Sequence, residues 1–280
     1  MFTHKSRPMQ LDLARTALVI TDLQNDFLTP GGGAYPLIEA SLARNDTARN
    51  LERLIVGAKT AAVPVFISPH YYYPHDHRWR APLTPLEDLA HEVGLVGRRD
   101  PLSVDGFERS GADFPERFKP HLKDGDVIVT SPHKAYSASS NDLLLQLHRR
   151  RIEQVLLAGP VGNLCVEAHM RDLIEHGFEI AMVRDATAGA VNEEGDGYAA
   201  ALVNWRFMAH ALWSTDDVMD ELTEARRRQR EAREHPRVSL GLYETVLGGG
   251  IWASMNTSTT MITVILTITV AASAARWKSK

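Results

Sequence analysis

Three polar side chains stand directly after apolar, β-branched runs: Asp22 in ITDLQNDF, Lys134 in VTSPHKAYS and Cys165 in LLAGPVGNLCVEAHMRDL. As a set they could perform nucleophilic chemistry. A cysteine at the head of a helix meets backbone N–H groups and the positive end of the dipole, which favour its thiolate. An adjacent ammonium lowers the thiol pKa further, and a carboxylate can accept its proton. Taken singly, each residue has a plainer role. Cys165 could be a small buried hydrophobe, Asp22 a turn residue and Lys134 a solvated surface group. The chemistry therefore depends on a fold that gathers the three.

The pattern of apolar runs predicts such a fold. Strands are expected at TALVIT (Thr16 to Thr21), VPVFIS (Val63 to Ser68), DVIVTS (Asp126 to Ser131), QVLLAG (Gln154 to Gly159) and EIAMVR (Glu179 to Arg184), with a weaker sixth at ALW (Ala211 to Trp213). Their nearly continuous hydrophobicity suits strands covered on both faces, as in parallel sheets. Helices are expected between them, over Ser41 to Ala62, Asn141 to Arg151, Cys165 to His176 and Gly195 to Met208. Alternating strand and helix is the pattern of an α/β, doubly wound, three-layer fold. In an open sheet of that kind ligands bind beyond the carboxyl ends of the strands, the edge to which Asp22, Lys134 and Cys165 are assigned.

Composition narrows the classes. The chain has 280 residues, 44% hydrophobic and 24% charged, with one cysteine. These are the proportions of a soluble globular protein. A net charge of −4 carries no broad basic excess, which argues against nucleic acid as a partner. A single cysteine excludes an intramolecular disulfide, a CxxC pair and a thiolate zinc cluster, and a reducing, cytoplasmic setting is the simplest reading. The amino-terminal residues lack the apolar core and cleavage site of a secretory signal.

DLQNDF after the first strand, a Lys after the third, and AGPVGNLCVEAHMRDLIEHGFEIAMVRDATAG resemble the isochorismatase-like cysteine hydrolase family, including its nicotinamidase and N-carbamoylsarcosine amidohydrolase members. The similarity runs from about Leu13 to about Asp217. It implies a six-stranded parallel sheet flanked by helices and a catalytic Asp22, Lys134 and Cys165. It implies a cis peptide between Pro160 and Val161, with the N–H groups of Val161 and Cys165 forming an oxyanion hole. The implied reaction is cleavage of an amide or ureido C–N bond of a small molecule through a thioester, with no cofactor required. It also implies a homo-oligomer. Two alternatives stand beside it: vinyl-ether hydrolysis of the isochorismatase type, which proceeds without a cysteine nucleophile, and a catalytically silent interaction protein of the same fold. A dinucleotide-binding role is disfavoured because no GxGxxG follows the first strand.

The loop ISPHYYYPHDHRW supplies candidates for the pocket and for metal. Nicotinamidases of the family carry an Asp and several His here for a divalent ion. His70, His75 and His77 are therefore weak metal candidates, but Ser68 stands where the Asp is expected, so a divalent metal is disfavoured. The plainer reading is a polar lid, with His70, Tyr72 and Trp79 beside Phe27 and Asn163 against the substrate. Gln24, Asn25 and Asp26 are expected to fix the first loop, and Gly31 to Gly33 to form a turn outside any phosphate-binding context.

The hydrolase domain is expected over residues 1–220. Residues 221–280 follow as a charged helix and a tail. A Gly-rich joint at Leu247 to Gly250 leads to a 15-residue apolar run, Met261 to Ala275. That run falls short of the roughly 20 residues needed to span a bilayer. Membrane contact is expected only if this tail is an anchor.

Overall fold

Every residue of TALVIT is buried, and this run forms the central strand of the sheet, β1 (Thr16–Thr21). The structure, a computed structural model, describes residues 9–234. A short turn α1 (Asn25–Leu28) leads to α2 (Tyr35–Asn45) and α3 (Thr47–Thr60). The sequence predicts one helix here. Asp46, at φ 48°, lies in the left-handed region and divides it in two; an Asp tolerates that conformation better than most residues. Strand β2 (Val65–Ser68) follows. The long insertion after it carries α4 (Pro85–Val93) and α5 (Lys119–Leu122) before the short edge strand β3 (Val127–Val129).

The second half alternates as the sequence predicts: α6 (Leu143–Arg149), β4 (Gln154–Pro160), α7 (Glu167–Glu175) and β5 (Glu179–Ala188). A two-residue hairpin, β6 (Val191–Asn192) and β7 (Gly195–Asp196), precedes α8 (Gly197–Met208). Asp196 Oδ1 caps α8 by accepting the N–H of Tyr198 at 2.9 Å. Strand β8 (Ala211–Trp213) and helix α9 (Thr215–Glu234) complete the described residues.

The six-stranded sheet runs β3-β2-β1-β4-β5-β8, every neighbouring pair parallel. Strand period explains why its members read as continuous apolar runs. Leu18, Ile20, Ile67 and Leu156 face one helical layer, while Ala17, Val19, Val155 and Leu157 face the other. The order reverses at β1, whose neighbours are β2 and β4, and that switch point opens a crevice at the carboxyl edge.

The domain boundary expected at residue 220 is corrected. It falls inside α9, where Val218, Leu222 and Ala225 are buried at helical spacing. The Arg and Glu residues of its other face pair with one another, as Arg227 does with Glu224 and Glu231. The joint at Leu247 to Gly250 and the apolar run Met261 to Ala275 lie outside the described residues. Among the described residues no helix is long and apolar enough to cross a membrane.

Candidate active site

The carboxyl ends of β1 and β4 are drawn together by close backbone packing. A Cβ on Gly159 would lie 2.4 Å from the carbonyl oxygen of Thr21, and Gly159 itself has φ +115°. Only glycine meets both demands. Thr21 Oγ1 then donates to the carbonyl of Pro160 at 2.7 Å. Asp22, at φ 49°, turns sharply out of β1 and donates its N–H to Ser68 O at 3.0 Å. From β4 the chain passes through a cis peptide at Pro160–Val161 into a helical turn, Gly162–Val166, that holds Cys165.

Asp22, His133 and Cys165 meet here. Each offers an atom within 4.8 Å of the others, and all three residues are buried. His133 Nε2 donates to Asp22 Oδ1 at 2.7 Å. Asp22 Oδ2 has no hydrogen-bond partner among the described residues, which leaves it free for the thiol proton. The backbone N–H groups of Val161 and Cys165 favour the charged form of the sulfur, though burial outweighs them.

Lys134 is not the residue beside Asp22, and its expected position is corrected. Its Nζ donates to Asp76 Oδ2 at 2.6 Å and to Tyr71 O at 2.9 Å, and it lies over the ring of Tyr73. The reason is the alternation of an extended segment, which sends consecutive side chains to opposite sides. His133 bridges His70 in parallel register, so these two rings face the same way and stack with centroids 4.6 Å apart. By residue type alone, Lys134 is the expected neighbour of Asp22. The signal that would have found His133 is its register with His70.

A shell of buried groups holds the cluster. His169 sits edge-on to His133, its Nδ1 donating to Cys165 O at 2.7 Å. Its Nε2 accepts from Ser68 Oγ at 2.9 Å, and Asn141 donates to the same hydroxyl at 2.8 Å. Gln24 ties the first loop to the second, accepting His70 N–H at 2.8 Å and donating to His70 O and Ala112 O. Asn25 donates to Ser110 O, and Asp26 accepts from Gly33 and Val96 N–H. These three residues fix loops.

Burial sets the electrostatics. It pushes the Asp22 carboxyl up to about 6, against a smaller opposing effect of His70 and His169. It holds His133 and His70 down to about 3 and His169 to about 4, so the imidazoles are neutral near pH 7. Burial and then the Asp22 carboxylate push the Cys165 thiol well up. The low-pKa thiol expected from an adjacent ammonium is therefore corrected. Lys134 pairs with Asp76 rather than with the thiol, and burial disfavours a thiolate.

Of the predicted pocket residues, Phe27, His70 and Tyr72 line a cavity that ends at Cys165. Trp79 and Asn163 do not. Trp79 packs on the edge of Tyr72, and Asn163 Oδ1 accepts the N–H of Ala190 at 2.9 Å. Nor do the loop histidines fit a divalent ion. His70 Nε2 is bonded to Lys134 O at 3.1 Å, His75 contacts Asp76, and His77 packs on His91. Ser68, in place of a carboxylate, is committed to His169 and Asn141. Among the described residues the three donors do not converge as ligands.

Comparison with known proteins agrees with this architecture. Residues 16–216 match the isochorismatase domain model. The chain is 25% identical over 224 residues to the ureidoacrylate amidohydrolase RutB of Pseudomonas savastanoi pv. phaseolicola, covering 76% of this chain and 86% of that protein. It is 24% identical to RutB of Variovorax paradoxus, covering 65% and 72%. Among solved structures, a cysteine hydrolase from Pseudomonas syringae pv. phaseolicola superposes with a TM-score of 0.64 at 20% identity, covering 79% of this chain and 99% of that one. Nicotinamidase PncA of Bacillus subtilis gives 0.52 at 21% identity, covering 71% and 99%. With the family model spanning most of its length, the chain belongs to the isochorismatase family.

Proposed function

We propose that the protein is a cysteine amidohydrolase that cleaves the C–N bond of a small amide or ureido compound through a thioester on Cys165. The observation that carries this reading is a buried Cys165 thiol that lines the cavity, with a buried Asp22 carboxylate oxygen within 4.8 Å of it.

The reaction begins from the neutral thiol. Asp22 Oδ2 takes the proton as the sulfur attacks the carbonyl carbon. Charge moves from the carboxylate to the carbonyl oxygen, where the N–H groups of Val161 and Cys165 receive it. Asp22 returns the proton to the departing nitrogen, leaving the thioester. A water that gives its proton to Asp22 then releases the acid and restores the thiol. His133 touches Asp22 throughout. As a neutral donor it stabilises the carboxylate without the full charge of an ammonium.

Amide chemistry is favoured over vinyl-ether hydrolysis because a nucleophile stands at the site. The amidohydrolase relatives support the same class of bond. Replacing Cys165 with Ala and, separately, Asp22 with Asn tests the reading. Each should lower turnover of an amide substrate by at least about 10³-fold while the fold persists. Comparable turnover in Cys165→Ala would refute it.

A further inference from the structure

The cavity that ends at Cys165 is walled by carbon. Helix α4 presents Leu86, Leu89, Ala90 and Val93 to it, at the spacing of one helix face, opposite Phe27 and Leu164. Among the described residues lining it, the one charged side chain is Glu87. Glu87 is already engaged, accepting from the N–H and hydroxyl of Thr84 in the cap of α4. The polar groups are similarly committed. Tyr136 is bonded through its hydroxyl to Thr84, and His70 through Nε2 to Lys134 O.

No Lys or Arg is among the lining residues. Lys134 serves Asp76, and Arg171 serves Glu167. A substrate carboxylate entering this cavity would lose its water, find no counter-ion and face Glu87. An apolar body would instead gain from every methylene it buries.

We propose that the substrate is an uncharged carboxamide carrying an apolar body, and that carboxylated ureido acids are excluded. The inference rests on the amidohydrolase reading for the bond that is cut, and on the cavity alone for what surrounds it. It separates this chain from relatives named for ureidoacrylate, whose substrate carries a carboxylate.

The test uses matched pairs. Butyramide, hexanamide and benzamide are compared with succinamate, adipamate and ureidoacrylate. Release of free acid is followed by mass spectrometry, and protection of Cys165 from iodoacetamide is followed in parallel. The neutral amides should show kcat/KM rising roughly fourfold per buried methylene until the cavity is full. They should exceed their carboxylated partners by about 100-fold or more, and should protect Cys165 at correspondingly lower concentrations. Val93→Arg, at a position half exposed beside the cavity, should narrow that gap by about two- to fivefold by supplying the missing cation. Preference for the carboxylated member in turnover or protection would overturn the proposal, as would failure of the neutral series to do either. Protection by neutral amides without release of acid would support the cavity assignment and defeat the hydrolase reading instead.

Discussion

His133 and Lys134 are consecutive in the chain and serve different carboxylates. The imidazole donates to Asp22 at 2.7 Å, and the ammonium pairs with Asp76 at 2.6 Å. The site around the thiol is consequently built from neutral donors and one carboxylate. The cation of this segment braces the loop that follows β2.

Substitution separates the two roles. His133→Ala removes a hydrogen-bond donor to Asp22 and should lower kcat/KM by roughly ten- to hundredfold. With less support for its charged form, Asp22 should titrate higher. The acid limb of the pH–rate profile, expected near pH 6 in the parent, should then move upward. Lys134→Met should leave that limb in place and keep kcat/KM within about tenfold, while lowering stability by about 2–4 kcal/mol through the buried Asp76 it abandons. Profiles of kcat/KM against pH, with denaturant unfolding of both variants, check the division. An unmoved limb in His133→Ala would contradict it.

Asp22 is expected to cost the folded state stability at neutral pH. Its carboxyl titrates near 6 when folded and near 3.8 when unfolded. The folded state therefore binds the proton more tightly. The associated stability is full below pH 3.8 and is lost as pH rises through 6, amounting to about 3 kcal/mol. Asp22→Asn should raise unfolding stability by about that amount at pH 8, and the gain should vanish near pH 4. The three buried histidines act oppositely. Their depressed values give stability that is present above about 6.5 and lost as pH falls toward 4 and 3, in parent and variant alike. Chemical denaturation at pH 8 and pH 4 measures the difference, and equal stability of the two proteins at pH 8 would contradict the assignment.

The thiol of the free enzyme should react slowly. Burial and the Asp22 carboxylate raise its pKa above the ordinary range, so alkylation by iodoacetamide should still be climbing at pH 9, beyond the usual cysteine midpoint of about 8.5. Asp22→Asn removes the neighbouring charge and should shift the profile down. A plateau reached by pH 7 in the parent would mean a preformed thiolate and a cation that the structure does not place there.

Much of the fold is legible in the sequence because the central strands of the sheet are covered on both faces. TALVIT and QVLLAG lie buried on both sides of the sheet, and the helices between them keep their apolar spacing. What escaped the sequence depended on single backbone angles and on register. Asp46 in the left-handed region splits an amphipathic stretch whose periodicity does not reveal a break. Helix α9 runs past residue 220 because Leu222 and Ala225 are scarce apolar positions in a run dominated by charge. In the site, a Lys beside a Cys and an Asp is the obvious ammonium by type. Only the pairing of His133 with His70 shows which of two neighbours turns inward.

The central claim, covalent catalysis by Cys165, is tested most directly by rapid acid quench of the enzyme during turnover of a neutral amide, followed by intact and peptide mass spectrometry. The predicted result is a mass increment equal to the acyl group, located on the peptide containing Cys165, released by hydroxylamine and absent in Cys165→Ala. Full turnover with no adduct at any quench time, together with an active Cys165→Ala, would contradict the account.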